Sequence, residues 1–169
     1  MPISALDRID YRILQHLQND ARISNAELAE RVGLSASPCL RRVRALERAG
    51  ILKRYVALVD PRAVGLPISV VVNVSLRSQE RAALVEFERQ IECCPEVMEC
   101  YLMTGSSDYL LRIVVPDLES YERFLADTLT RIPGVANIQS GLALKQVVYR
   151  TELPLDPHGP RGATAPLTE

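Results

Sequence analysis

The residues with the clearest chemistry lie on one side of a short helical segment near the N-terminus of this 169-residue chain. At 100° per residue they fall within about 60° of one another. They are Ser37, Arg41, Arg44 and Arg48, and we call them the arginine stripe. Cys39, Val43 and Leu46 fall on the opposite side of the same helix. A planar guanidinium group can bind the O6 and N7 edge of guanine or two phosphate oxygens. The stripe therefore predicts a surface that binds a polyanion.

The charge of the chain is unevenly distributed around this stripe. The whole chain carries a formal net charge of −1, but residues 1–60 carry +3 and residues 61–152 carry −3. Between Ser35 and Arg54 there are six basic side chains and one acidic side chain, Glu47. Opposite charges in the two halves indicate that the halves have different tasks.

Position along the helix predicts what each side chain contacts. The N-terminal part of a recognition helix usually reaches base edges, so we expect Ser37 and Arg41 to contact bases, with Arg44 as a further candidate. We expect Arg48 and Lys53 to contact phosphates. The full predicted set of DNA-contacting residues is Ser35, Ser37, Pro38, Arg41, Arg42, Arg44, Arg48 and Lys53.

Arg42 has two possible roles. It lies closer to the apolar side of the helix than the arginine stripe does. An ion pair within the domain and a contact with DNA are therefore both open to it.

Apolar spacing predicts three helices that would position the stripe. The first covers residues 7–20, and the second starts at Ser24, which forms a capping-box pattern with Glu27. The second ends at Gly33, and Ser35 caps a third that runs to about residue 49. Three short helices with a tight turn before the third predict a helix-turn-helix.

The second half predicts alternating strands and helices in the order βαββαβ. Residues 68–76 alternate apolar and polar, as a strand with one buried face does. Further strands are predicted at 97–104, 109–115 and 135–149, the last with a bulge at Gly141. This order is that of the ferredoxin-like fold.

These patterns predict an α+β chain in four parts. They are an N-terminal helix-turn-helix domain at residues 1–50, a linker containing a strand at 51–67, a C-terminal ferredoxin-like domain at 68–152 and a disordered tail at 153–169. The tail is assigned because its sequence is rich in proline and has no apolar period.

The turn at residues 105–108 is the best candidate for a small-molecule site. Gly105 and the amides that follow it could accept a carboxylate, and Asp108 could pair with an ammonium group. Together they would bind the two charged groups of a free amino acid. The alternative is that Asp108 is an ordinary turn residue.

Several other classes of site and function lack support. The four cysteines form no C-x-x-C pair and lie far from His16 and His158, so we expect neither a metal site nor a cofactor. The cysteines are expected to be reduced and to act as small apolar side chains rather than redox sensors.

No histidine has an obvious nucleophile partner, so we do not expect an enzyme. An RNA-binding module would have the same strand order, but residues 109–114 lack the aromatic pair on which bases stack.

The N-terminus has neither a basic nor an apolar targeting segment, and no apolar run is long enough to span a membrane. We therefore expect a cytoplasmic protein, which the predicted DNA binding would associate with the nucleoid.

Blocks of sequence in both halves resemble one known family. They are residues 6–10, 21–29, 32–35, 38–43 and 46–47 in the first half, and 99–105, 108–111 and 129–135 in the second. In this order, over about residues 5–153, they closely resemble the Lrp/AsnC (leucine-responsive, feast/famine) family of bacterial transcriptional regulators. Among its members, the chain looks most like regulators of amino-acid catabolic operons, such as those for branched-chain keto acids or methionine.

The resemblance implies a regulator of amino-acid metabolism that binds operator DNA. It implies dimerisation through the ferredoxin-like domains, often further assembly into octamers, and an amino-acid effector bound between dimers. Carried over to this chain, the effector site would be lined by Tyr101, Leu102, Thr104, Gly105 and Asp108, with Gln139 and Ser140 from the last strand of the same or a neighbouring subunit. Family members commonly have Gly-Asp-x-Asp at the turn, whereas this chain has Ser106 in place of the first carboxylate. The alternative is a regulator of the same family that acts on DNA without a ligand.

Overall fold

The computed structural model describes residues 6–156, which divide into two units. The first contains the residues up to Ala57 and again those from Val148, and the second is Leu58–Val147. The chain therefore passes from one unit to the other twice. The end of the second unit at Val147 differs from the expected boundary at residue 152, because the chain after Val147 belongs to the first unit.

Three helices form the first unit, as the apolar spacing predicts. They are α1 (Arg8–Asn19), α2 (Asn25–Val32) and α3 (Ala36–Arg48). Each contributes one apolar side to a shared core that consists of Ile13, Leu14, Leu17, Leu28, Ala29, Val32, Cys39, Val43 and Leu46. Burial of this side of α3 leaves its opposite side facing outward.

Ser24 and Ser35 are the N-cap residues of α2 and α3, as predicted, but the side-chain bonds at the caps differ from the predicted ones. The reciprocal capping box is at α1, where the Asp7 side chain accepts from the Asp10 amide and the Asp10 carboxylate accepts from the Asp7 amide. At α2 the prediction is half wrong, because Ser24 accepts from the Glu27 amide but the Glu27 carboxylate pairs with Arg31. Ser35 occupies the N-cap position of α3 without a side-chain cap bond.

The linker, in which the sequence predicts a strand, is irregular in the single chain. No strand is assigned between residues 51 and 67, and no described segment pairs with them. Ile51 and Leu52 pack against the core of the first unit, whereas Tyr55, Val56, Leu58 and Val59 are exposed. Residues 51–59 have strand-like side chains, but a strand also needs a hydrogen-bonded neighbour.

A four-stranded antiparallel sheet and two helices form the second unit. In chain order they are β1 (Ile68–Leu76), α4 (Arg81–Glu92), β2 (Val97–Leu102), β3 (Tyr109–Val115), α5 (Leu118–Asp127) and β4 (Val135–Leu142). The strands lie in the order β2-β3-β1-β4, and each neighbouring pair is antiparallel. This confirms the predicted ferredoxin-like arrangement.

The sheet has two different faces, since successive side chains of a strand point to opposite sides. On the side that we call the helix face, β1 buries Val70, Val72 and Val74 together with apolar side chains of α4 and α5. The Phe87 ring of α4 lies 4.5 Å from the Tyr109 ring of β3. The other side, the open face, carries only partly buried residues of β1, such as Asn73.

The last strand is shorter than predicted. β4 ends at Leu142 rather than at residue 149, because β1, its only partner strand among the described residues, begins at Ile68 and its last backbone bond with this segment is from the Ala143 amide to the Ser69 carbonyl. The irregular pairing is also at a different place. It lies between Ser75 and Leu76 of β1, opposite the start of β4, and not at Gly141.

The start of the predicted disordered tail is ordered in the structure. Leu155 packs against the core of the first unit, and its carbonyl accepts a hydrogen bond from Gln15 Nε2 at 2.9 Å. The prediction of disorder is therefore wrong at this segment, because the apolar side chain of Leu155 packs against the first unit. Residues 157–169 lie outside the described part of the chain.

Candidate DNA-binding surface and ligand site

The arginine stripe forms one exposed surface on α3. Its four side chains and the partly exposed Leu40 line a shallow depression. In the described part of the chain, no ion pair involves Arg41, Arg44 or Arg48. Their guanidinium groups are therefore not neutralised by neighbouring carboxylates and can pair with phosphates or base edges.

The remaining predicted contacts lie near the two ends of α3. Ser35 and Ser37 are exposed at its N-terminal end, and Pro38 is half-buried in the first turn. Lys53 is exposed beyond the C-terminal end of the helix. Ser37 lines the same depression as the three arginines of the stripe, and Ser35 and Lys53 are exposed at or beyond the ends of α3.

Arg42 is held within the first unit. Its Nη1 lies 2.7 Å from Asp7 Oδ2 and 2.8 Å from Asp10 Oδ1, so α1 supplies two carboxylates to it. Partial burial raises the pKa of Asp7, but bonds from the Asp10 amide and from Arg42 outweigh it and lower that pKa below its usual value. The pKa of Arg42 rises because of its hydrogen bonds to Asp10 and Asp7. Of its two possible roles, the geometry favours the ion pair.

Two contacts that sequence reasoning missed hold α3 in place. Asn25 Nδ2 donates to the carbonyl of Ala36 at 2.8 Å and joins the first turns of α2 and α3. The available signal was an asparagine at the first position of a helix, where its amide can reach a neighbouring carbonyl. Beyond α3, the Tyr55 hydroxyl donates to Glu47 Oε1 at 2.9 Å. Burial, together with this carboxylate, raises the pKa of Tyr55 to about 12.

The turn between β2 and β3 exposes several backbone donors. Gly105 has a φ of 119°, which only glycine adopts easily. The structure gives no acceptor to the amides of Gly105, Ser106 and Ser107 among the described residues. Three successive free amides at such a turn suit an anion such as a carboxylate.

Asp108 forms hydrogen bonds within the chain. Its side chain is buried, and Oδ2 accepts from the Leu76 amide while Oδ1 accepts from Gln79 Nε2, both at 2.7 Å. The carboxylate therefore ties the turn to the end of β1. These internal bonds compete with the pairing to a ligand ammonium that the sequence suggests.

The sheet register divides the other predicted ligand residues between two faces. Tyr101, Leu110, Asn73 and Gln139 form one row across the open face, with Tyr101 and Gln139 at opposite edges. Two strands separate the ends of this row, which corresponds to about 14 Å between the outer strands. Leu102 and Ser140 lie on the helix face, since each pairs with a buried helix-face residue.

Ser140 and the turn have separate neighbours. The hydroxyls of Ser140 and Tyr121 share a hydrogen bond on the helix face. Ser107 Oγ donates to Asn73 Oδ1 at 3.4 Å on the open face, next to Gln139. Thr104 and Gly105 are exposed just after β2. A single chain therefore does not gather all seven predicted ligand residues into one pocket.

The cysteines are free thiols, and three have a raised pKa. Burial raises the pKa of Cys39 and Cys94, and burial with the nearby Glu88 raises that of Cys100 to about 11. These thiols are weak nucleophiles at neutral pH, because the thiolate is the reactive form. Within residues 6–156, no three metal-binding side chains converge, and no helix is long and apolar enough to span a bilayer.

Comparison with known proteins identifies both units. Residues 6–53 match the family described as winged helix-turn-helix DNA-binding, and residues 69–153 match the Lrp/AsnC ligand binding domain. The chain is 48% identical over 153 residues to the Bkd operon transcriptional regulator of Pseudomonas aeruginosa, covering 90% of this chain and 100% of the relative. It is 42% identical over 152 residues to the leucine-responsive regulatory protein of Escherichia coli strain K12, covering 90% and 93% respectively.

A solved structure agrees with these relatives. The crystal structure of a Neisseria meningitidis transcriptional regulator in complex with L-Met matches with a TM-score of 0.85 and 42% identity, covering 90% of this chain and 98% of that one. The matches extend through the helix-turn-helix and the four-stranded sheet. This chain therefore belongs to the Lrp/AsnC family and is a DNA-binding transcriptional regulator with an amino-acid ligand-binding domain.

Proposed function

We propose that two chains bind a roughly two-fold operator through the arginine stripes of their α3 helices. The observation that carries this is the exposed stripe, whose arginines form no ion pair with any residue of the described range 6–156, opposite a packed apolar side. Ser37 and Arg41 contact bases, with Arg44 beside them. Arg48 and Lys53 contact phosphates, and Ser35 and Pro38 form the edge of the surface.

We infer that the effector is a free amino acid whose α-carboxylate binds the amides of residues 105–107. Support comes from these amides, which have no acceptor in the part of the chain that the structure describes, and from the positive φ of Gly105. In this proposal Asp108 holds the turn in shape rather than pairing with the ligand. Tyr101 and Gln139 lie at opposite edges of the sheet, so the ligand contacts them from different chains.

We propose an apolar effector such as leucine or methionine and a target among operons of amino-acid catabolism. The leucine-responsive relative, the Bkd operon regulator and the L-Met complex support this choice. We further propose that the active form is a homodimer that assembles into a tetramer of dimers on the nucleoid. A ligand bound between dimers acts by preferring one assembly geometry over another.

A second candidate is a regulator that acts on DNA without any ligand. It is favoured by Ser106 in place of a carboxylate and by the internal bonds of Asp108. The two candidates share the DNA-binding surface. They differ in whether an amino acid stabilises the folded protein or alters its DNA binding.

A thermal-shift screen with the twenty amino acids separates these candidates, because a ligand that binds only the folded state raises its stability. We expect leucine or methionine to raise Tm and to change affinity for a duplex selected from a random pool. The amide of the same amino acid is the matched control. It lacks the carboxylate and should give no shift. If none of the twenty changes either Tm or DNA affinity, the ligand-independent candidate is correct.

A further inference from the structure

The end of the described chain binds the outer side of α1. Gln18 exchanges two hydrogen bonds with the backbone of Leu153: the Leu153 amide donates to Gln18 Oε1 at 2.7 Å, and Gln18 Nε2 donates to the Leu153 carbonyl at 3.3 Å. One turn earlier, Gln15 donates to the Leu155 carbonyl. The Leu155 side chain packs against the core of the first unit. We call residues 153–155 the C-terminal clasp.

The clasp gives the DNA-binding unit a second connection to the ligand-binding unit. The chain leaves the first unit after Ala57 and returns to it at Val148. Residues 58–67 contain turns but neither helix nor strand, and residues 143–152 of the returning connection contain neither as well. A docked second connection removes rotational freedom that a single flexible linker would leave.

We propose that the C-terminal clasp restricts the DNA-binding unit and thereby raises the affinity of a dimer for DNA with two half-sites. After one helix-turn-helix has bound, the effective concentration of the other at its half-site depends on how well its orientation is fixed. Binding to one half-site does not depend on this restriction. The proposal rests on the two-fold DNA binding proposed above.

The test compares Gln18→Ala with Asn19→Ala. Gln18 forms both bonds to Leu153, whereas Asn19, its neighbour, donates only to the Gln15 carbonyl of its own helix. The probes are a two-half-site duplex selected by the wild-type protein and the same duplex with one half-site scrambled. We expect Gln18→Ala to weaken binding to the first probe by about 5- to 10-fold and to the second by less than about 2-fold. Asn19→Ala should change neither.

A pair of shortened chains tests the same point without altering α1. A chain ending at Glu152 lacks the clasp, and a chain ending at Asp156 retains it. The first should behave like Gln18→Ala and the second like the wild type. A general loss of stability would weaken binding to both probes equally, and this result would overturn the proposal. So would unchanged binding to the two-half-site probe in both Gln18→Ala and the shorter chain. If the wild type selects no two-half-site duplex, the two-fold binding itself is wrong.

Discussion

Adjacent arginines on α3 have opposite surroundings. Arg41 belongs to the exposed stripe, whereas Arg42, one position on, is bonded to Asp7 and Asp10 of α1. A step of 100° around the helix is enough to move a guanidinium group from solvent to the neighbouring helix. Basic charge alone therefore does not identify a DNA contact, and each arginine needs its own test.

Replacing Arg41 with alanine should reduce recognition of the selected duplex. If its guanidinium is bidentate to a base, the loss is about 1 to 3 kcal/mol for the selected duplex and smaller for a scrambled one. Fluorescence titration of both duplexes measures the difference. Arg48→Ala serves as the comparison. Arg48→Ala should weaken binding to both duplexes alike, and it should reduce the salt dependence of binding by about one ion. An equal loss on both duplexes in Arg41→Ala would identify Arg41 as a phosphate contact.

Replacing Arg42 with alanine should destabilise the protein in a pH-dependent way. The pKa of Asp7 is lower in the folded protein than its ordinary value of 3.8, so its pairing stabilises the fold above that value. The stabilisation is lost as the pH falls through the lower folded pKa. The difference in Tm between wild type and Arg42→Ala should therefore be constant near neutral pH and shrink below about pH 4. Arg131→Ala, which breaks an exposed pair with Asp127, is the control and should have little effect. A difference that does not change with pH would contradict this role of Asp7.

Replacing Asp108 with alanine should reduce stability even in the absence of a ligand. The change leaves the amide of Leu76 without its buried acceptor, which costs about 1 to 3 kcal/mol. Urea denaturation monitored by circular dichroism measures the loss. Asp127→Ala, at an exposed carboxylate, is the matched control. If Asp108→Ala is as stable as the wild type and lacks only the amino-acid response, the carboxylate contacts the ligand directly.

At the scale of elements, local patterns were sufficient for the helices but not for every strand. The three helices of the first unit follow from apolar spacing, because each helix forms its own backbone bonds. Strand-like residues at 51–59 and after Leu142 remain outside the sheet, since a strand also depends on a partner elsewhere in the chain. The predicted ligand residues lie on two faces of the sheet for a related reason. Tyr101 and Leu102 are neighbours in sequence, as are Gln139 and Ser140, and neighbours on a strand point to opposite faces.

The two faces of β4 predict different outcomes for adjacent substitutions. Ser140→Ala removes the hydrogen bond to Tyr121 on the helix face, so it should lower Tm without changing amino-acid binding. Gln139→Ala lies on the open face and should leave Tm unchanged while weakening amino-acid binding. Thermal unfolding with and without leucine or methionine measures both effects. The reverse pattern would place the ligand on the helix face.

At the scale of the whole molecule, charge and function are divided between the halves of the chain. The basic residues are concentrated in the DNA-binding half, and residues 61–152 carry a net charge of −3. A negative ligand-binding unit is repelled by phosphates, which favours contact through the arginine stripe. The net charge of the whole chain, −1, would by itself have argued against a nucleic-acid partner.

The proposed effector should change the assembly as well as its stability. Light scattering should show a change in mass or size distribution when leucine or methionine is added, because a ligand between dimers favours one assembly. The footprint on a selected duplex should change at the same concentrations. The amino-acid amide is again the control. Unchanged mass, size and footprint at saturating ligand would show that the effector does not act through assembly.

The return of the chain to the first unit also bears on the order of folding during synthesis. The DNA-binding unit is a discontinuous domain, with the whole ligand-binding unit inserted between its two segments. Domains usually fold from the N-terminus as the chain emerges from the ribosome. Here the helices of the first unit emerge early, but Leu155 reaches their core only after the entire sheet has been made. The DNA-binding unit is therefore the first to begin folding and the last to be completed.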